Sequence, residues 1–220
     1  FRSWGFARGG TGAISNSIAS AARELGVEIR TEAPVTKILM TSGQAKGVVL
    51  ENGDEILADV VSSSLDPRLT FIKMVGTEHL PDDFVEDVNR YKFRGSSGKV
   101  NMALDGLPDF TCLPGPGRHL RGAMSISPSV EYMERAYDDA KYGNFSQQPY
   151  IDMIIPSMID PDMAPPGKHV MSCFVQYAPY QLQEGTWEEK REAFGDAVVN
   201  TLSEYIPNLD LFISMHVLKE

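Results

Sequence analysis

The sequence predicts an α+β fold, a mixed and largely antiparallel sheet with helices on one face. Three observations predict it. Short runs of strand-forming residues follow one another with turn signals between them, Ser42-Gly43-Gln44 and Asn52-Gly53; Asn-Gly is the strongest short hairpin signal. Other stretches carry apolar residues at helical spacing. The two kinds of segment mix without the strict strand–helix alternation that builds a parallel sheet.

The elements follow in chain order. Ile14, Ile18, Ala21, Ala22 and Leu25 share a helical face, with Thr11 placed to cap that helix and Gly26 to stop it. Strand-like runs are expected at 27–30, 35–40, 47–50 and 55–58, and a further strand at 60–64 that ends before Asp66-Pro67. A short amphipathic helix is expected over 69–75. Beyond Gly76 the texture changes. Phe84, Val85, Val88 and Tyr91 make a helical face, 99–104 alternates as a strand, and 106–122 is a loop rich in Pro and Gly. Val130, Met133, Tyr137 and Ala140 mark another helix. Residues 150–155 and 170–177 read as buried strands. Trp187, Phe194, Val198, Leu202 and Tyr205 line a long final helix stopped by Pro207. This change of texture divides the chain into two domains, 1–75 and 76–220.

Composition bounds the function. An apolar content of 42% in 220 residues permits a buried core. A net charge of −10 disfavours nucleic acid and anionic membrane as partners, since both attract cations. No apolar run approaches the ~18 residues of a membrane span, and no signal peptide is visible. Cys112 and Cys173 have no partner spacing and read as ordinary thiols of a reducing compartment, with the cytoplasm as the default. His79, His119, His169 and His216 lack metal-ligand spacing, so no metal site is expected. Asp82, Asp83, Glu86 and Asp87 suit a helix start.

Gly9-Gly10-Thr11-Gly12 opens the first helix and offers backbone N–H groups to an anion. It is not a dinucleotide fingerprint: Ser15 stands where the third glycine belongs, and 1–8 is a poor preceding strand. The same glycines also serve a tight turn and close helix packing. Arg8 and Arg94 are candidate anion contacts without a surrounding motif. Tyr150, Met153, Met158, Met163, Met171, Phe174, Tyr177 and Tyr180 either line an apolar cleft or form core.

Taken in order, Gly9-Gly10-Thr11-Gly12, Val35-Thr36-Lys37-Ile38, Asn52-Gly53 and Val60-Val61-Ser62-Ser63-Ser64-Leu65-Asp66-Pro67 resemble the middle of a flavoprotein of the phytoene desaturase and amine oxidase superfamily. Lys99-Val100-Asn101-Met102-Ala103-Leu104-Asp105, Ile155-Pro156-Ser157-Met158-Ile159-Asp160-Pro161, Ala164-Pro165-Pro166-Gly167 and Phe174-Val175-Gln176-Tyr177-Ala178-Pro179-Tyr180 extend the resemblance to nearly the whole chain. They are similar to its phytoene dehydrogenase-like branch, related to pyridine nucleotide-disulfide oxidoreductase domain-containing protein 2.

The resemblance implies an internal part of an FAD-dependent oxidoreductase that removes hydride from an apolar or partly apolar small molecule. Residues 1–75 would be part of the FAD-binding domain and 76–220 the substrate domain. It implies that Val35 reads the adenine edge through its backbone. Ser62, Ser63 and Ser64 would permit close cofactor approach, and Gly9, Gly10 and Gly12 would lie at the cofactor's edge. The family's Gly-x-Gly-x-x-Gly and its C-terminal flavin segment are not found in these residues, so weak or absent FAD binding is expected of this chain alone. No catalytic residue is identified. One alternative is a non-catalytic scaffold that keeps the fold. Another is a stand-alone nucleotide-binding protein using the glycine turn, in which Gly10→Val would abolish phosphate binding.

Overall fold

The computed structural model describes residues 5–92, 95–209 and 213–216, the last four by backbone alone. They form two compact units, Ala19–Phe93 and Phe1–Ile18 with Arg94–Glu220; the first division falls inside helix α1, Gly10–Glu24. Helix α1 starts where Gly9 and Gly10 turn the chain with φ of 81° and 74°. Thr11 therefore lies inside the helix rather than capping it. At the other end Gly26, with φ 83°, stops the helix as expected. The Val27 N–H returns 3.0 Å to the Ala22 carbonyl, closing the last turn.

In the unit Ala19–Phe93, strands β1 (Val35–Thr41), β2 (Gln44–Leu50) and β3 (Glu55–Leu57) form an antiparallel sheet in that order. Both turn signals act as read. Ser42 and Gly43 have φ of 49° and 76°, the pairing that matches hairpin twist. The Gly53 N–H donates to the Leu50 carbonyl at 3.0 Å. One face buries Ile38 against Met74 and Val75, which lie on Arg68–Gly76, a segment wound as a π-helix. Helix α2 (Asp82–Arg90) buries Val88 and sets Phe84 edge-on to Phe71.

Two expected strands are absent. Residues 27–30 and 60–64 join no ladder, and Val27, Ile29 and Val60 are exposed. Their residues fit a pleated, half-buried surface, but a strand exists only with a neighbour to pair with. Neither segment has one among the described residues.

The other unit holds strands β4 (Ser97–Leu104), β5 (Met124–Ile126), β6 (Tyr150–Ile154), β7 (His169–Gln176) and β8 (Ile213–His216). They pair antiparallel in the order β5-β6-β7-β4-β8. Alternation along the strands buries Val100, Met102, Ile151, Met153, Met171 and Val175 on one face. Helix α4 (Trp187–Ser203) packs into that core through Phe194, Val198 and Leu202. It starts from a capping box in which Thr186 and Glu189 satisfy each other's backbone N–H. This is the predicted architecture, helices on one face of a largely antiparallel sheet.

Helix α3 (Val130–Lys141), capped by Ser129, is present but rotated from the expected face. It turns Tyr132 and Ala136 inward and leaves Val130 and Tyr137 exposed. Strands β5 and β8 were not expected. Cys173 is buried, which pushes its thiol up to about 12, while Cys112 is exposed.

Candidate functional site

The side of the five-stranded sheet opposite its core carries the candidate site. Because strand side chains alternate, Asp152 points away from the buried Ile151 and Met153, and Phe174 away from Cys173 and Val175. The register then aligns four strands. Ser125 faces Asp152, Asp152 faces Phe174, and Phe174 faces Lys99. Ser125, Asp152, Phe174 and Lys99 thus make one row across β5, β6, β7 and β4. Phe174 is 45% exposed on an interior strand, an unusual place to leave an aromatic ring uncovered.

A cavity of about 640 Å³ opens at this row and continues past the end of β4 to Tyr180, Trp187, Arg191 and Phe194. That volume lies in the range of small-molecule sites, and its mostly apolar lining with a few polar groups is their usual composition. The Trp187 indole N–H donates to the Pro179 carbonyl at 3.1 Å, which fixes the ring at the rim. The Ser125 hydroxyl donates to an Asp152 oxygen, and the Tyr150 hydroxyl lies close by. Burial, and then the adjoining carboxylate, raise the Tyr150 phenol above its ordinary value, so it stays a protonated donor at neutral pH.

Six of the eight Met and aromatic residues fall into different settings. Met153 and Met171 are core. Phe174 and Tyr180 line the cavity. Met158 packs at the core's margin, and Met163 is exposed.

The expected cofactor residues fall in different units. Val35 opens β1, an edge strand whose outer side has no strand partner in its unit. Val35 and Val61 both pack against the apolar cluster of Ile38, Met74 and Val75. Ser62 and Ser64 are exposed, and the Ser63 hydroxyl shares a 2.8 Å hydrogen bond with Thr70.

The glycine turn belongs to the other unit, where two of its backbone donors are already engaged. The Gly9 N–H donates 2.6 Å to a carboxylate oxygen of buried Asp160. The Gly10 N–H donates to the Ala7 carbonyl at 3.0 Å. Beside them Arg8 pairs with Asp162 at 2.7 Å. An internal carboxylate thus sits where the turn would hold an anion, and a phosphate would have to displace it. Gly12 alone of the three faces open space. Sequence reasoning missed Asp160, because nothing local links it to a turn 151 positions away. Arg94 lies outside the described residues.

Among the described residues no group of His, Cys, Asp and Glu is arranged to hold a metal ion. No helix among them is long and apolar enough to cross a membrane.

Residues 2–216 match the family described as flavin containing amine oxidoreductase. The chain is 39% identical over 213 residues to the pyridine nucleotide-disulfide oxidoreductase domain-containing protein 2 of Mus musculus, covering 93% of this chain and 37% of that protein. It is 28% identical over 218 residues to the chloroplastic prolycopene isomerase of Daucus carota, covering 96% of this chain and 32% of that protein. The chain therefore spans about a third of the length of these curated relatives. Among solved structures, an oxidoreductase from Methanosarcina mazei shares the fold with a TM-score of 0.64 at 23% identity, over 96% of this chain and 42% of that one.

Proposed function

We propose, from the premise that this chain belongs to the flavin containing amine oxidoreductase family, that it is an internal part of an FAD-dependent oxidoreductase acting on an apolar or partly apolar small molecule. The observation that carries the reading is the family match from residue 2 to residue 216, which takes in both compact units. The cavity beside Phe174 supports the substrate half of it. When bound, FAD would accept the hydride that the substrate loses.

The residues present fit the adenine end of that cofactor better than its phosphates. The open edge of β1 at Val35 offers a backbone donor and acceptor side by side, which is what adenine's edge requires. Val suits the position because its branched side chain favours extended backbone. Ser62 and Ser64 would allow close approach nearby. At Gly9 the carboxylate of Asp160 would repel a phosphate, so the glycine turn would border the cofactor by its shape, with Gly12 the open position. The substrate domain would place the apolar body over Phe174 and exclude water with Tyr180 and Trp187. Ile14, Ile18 and Leu25 of α1 and its end are exposed, an apolar stripe that a larger body would cover.

Equilibrium dialysis of FAD against the longer protein tests the adenine contact. Val35→Pro removes the N–H, yet proline is tolerated at the first position of an edge strand. The expected result is an FAD affinity about tenfold lower in a protein that still folds, the effect of one lost hydrogen bond. Unchanged affinity would place the adenine elsewhere.

A further inference from the structure

We infer that Asp152 is a specificity-determining residue, selecting a small molecule whose apolar body lies on Phe174 and whose head donates a hydrogen bond to the Asp152 carboxylate. This rests on the reading of the cavity as the substrate side, and it narrows that reading to molecules that are not hydrocarbon throughout.

Three features support it. Asp152 lines the cavity, is partly buried, and has no cation paired with it among the described residues. A carboxylate offers about four acceptor positions. Ser125 supplies one hydroxyl partner, leaving acceptor capacity for a ligand. That bond, with the strand backbone, fixes the carboxylate's direction, so little freedom is lost when a ligand binds. Phe174, its neighbour across the β6–β7 ladder, sets an uncovered ring beside the charge. One face thus pairs an apolar platform with an anchored acceptor.

The cation of the row is less suited to the task. Lys99 lies two strand spacings from Asp152, about 10 Å, and its exposed ammonium rides a flexible stem that keeps its own hydration. Arg191 is paired with Glu192 at 3.3 Å. Among the described residues, the charge held in place in the cavity and without an ion partner is that of Asp152, and it calls for an ammonium or a hydroxyl.

The test uses three probes of one shape on the whole chain: 3-phenylpropylamine, 3-phenylpropan-1-ol and butylbenzene. Binding is followed by tryptophan fluorescence, because Trp187 lines the cavity, and Trp187→Phe identifies the reporting ring. The amine and the alcohol are expected to bind more tightly than the hydrocarbon. Asp152→Asn, which keeps the side chain's shape, is expected to weaken the amine about tenfold while changing butylbenzene by less than about twofold. Ser125→Ala, on the exposed edge and clear of the core, is expected to weaken the amine several-fold and gives a second reading if Asp152→Asn folds poorly. Equal affinity for the three probes, no binding of any, or an amine affinity untouched by both variants would overturn the inference. Flavin content of the longer protein is measured separately. Its absence would sink the oxidoreductase reading and leave a discriminating Asp152 standing.

Discussion

Gly47→Val is expected to unfold the three-stranded sheet of the Ala19–Phe93 unit, lowering its stability by about 3 kcal/mol or more. Two costs coincide at this position. Gly47 has a φ of 151°, which an L side chain rarely adopts. A Cβ there would stand 2.2 Å from the Ile56 carbonyl oxygen and 2.9 Å from the Leu57 Cα. These are backbone atoms of the paired strand β3, so relief requires the β2–β3 ladder to open rather than a rotamer to change. Gly53→Ala is the control. Gly53 also has positive φ, 89°, but nothing lies within 4 Å of its Cβ direction, so its cost is about 1 kcal/mol of backbone strain. Urea unfolding followed by circular dichroism should show a large loss for the first variant and a small one for the second. Equal losses would mean that the close approach at β3 carries none of the effect.

Phe194→Ala is expected to cost about 3–5 kcal/mol, the usual loss for a large aromatic removed from a core. Phe194 is 3% exposed and meets Phe145 and Trp187 edge to face, with ring centroids 5.6 Å away in each case. Its ring also fills the space above Gly98, where an added Cβ would stand 2.6 Å from Cζ. Gly98→Ala alone should therefore overpack the site, at about 1–3 kcal/mol. The two changes act on one space with opposite sign, so they should not add. The double variant Gly98→Ala with Phe194→Ala should be more stable than the sum of the singles predicts by about 1 kcal/mol. Thermal unfolding of the four proteins measures the coupling, and strict additivity would show that the glycine is not there to admit the ring.

The parts of the fold legible in the sequence are those encoded locally. Ser42-Gly43 and Asn52-Gly53 specify their turns by backbone preference alone, and the β1–β2–β3 sheet follows from them. The long apolar stripe of α4 and the alternation in β4, β6 and β7 state which faces are buried. Pairing was not legible. Residues 27–30 and 60–64 have strand composition, yet no described strand adjoins them. Strands β5 and β8 have three and four residues, too few to show a period, and exist because β6 and β4 offer open edges. In α3 the residues at 130, 133 and 137 satisfy helical spacing as well as the true inward set does. The orientation is decided by the core that Tyr132 and Ala136 reach.

The candidate site divides along the same line. That Asp152 faces away from Ile151 and Met153 follows from alternation. That Ser125, Phe174 and Lys99 stand in one row with it depends on three registers, which no single segment encodes. The clasp of Asp160 on Gly9 joins distant parts of the chain, so the turn reads as an open anion site until its donor is seen to be engaged.

The central claim is that these residues belong to a flavin-holding oxidoreductase. The visible absorption spectrum of the purified longer protein tests it most directly. The account predicts flavin bands in the blue, a cofactor released on denaturation as FAD at one per chain, and bleaching of those bands when a substrate is added without oxygen. A folded protein that shows no visible absorption, and gains none when FAD is supplied, would contradict it.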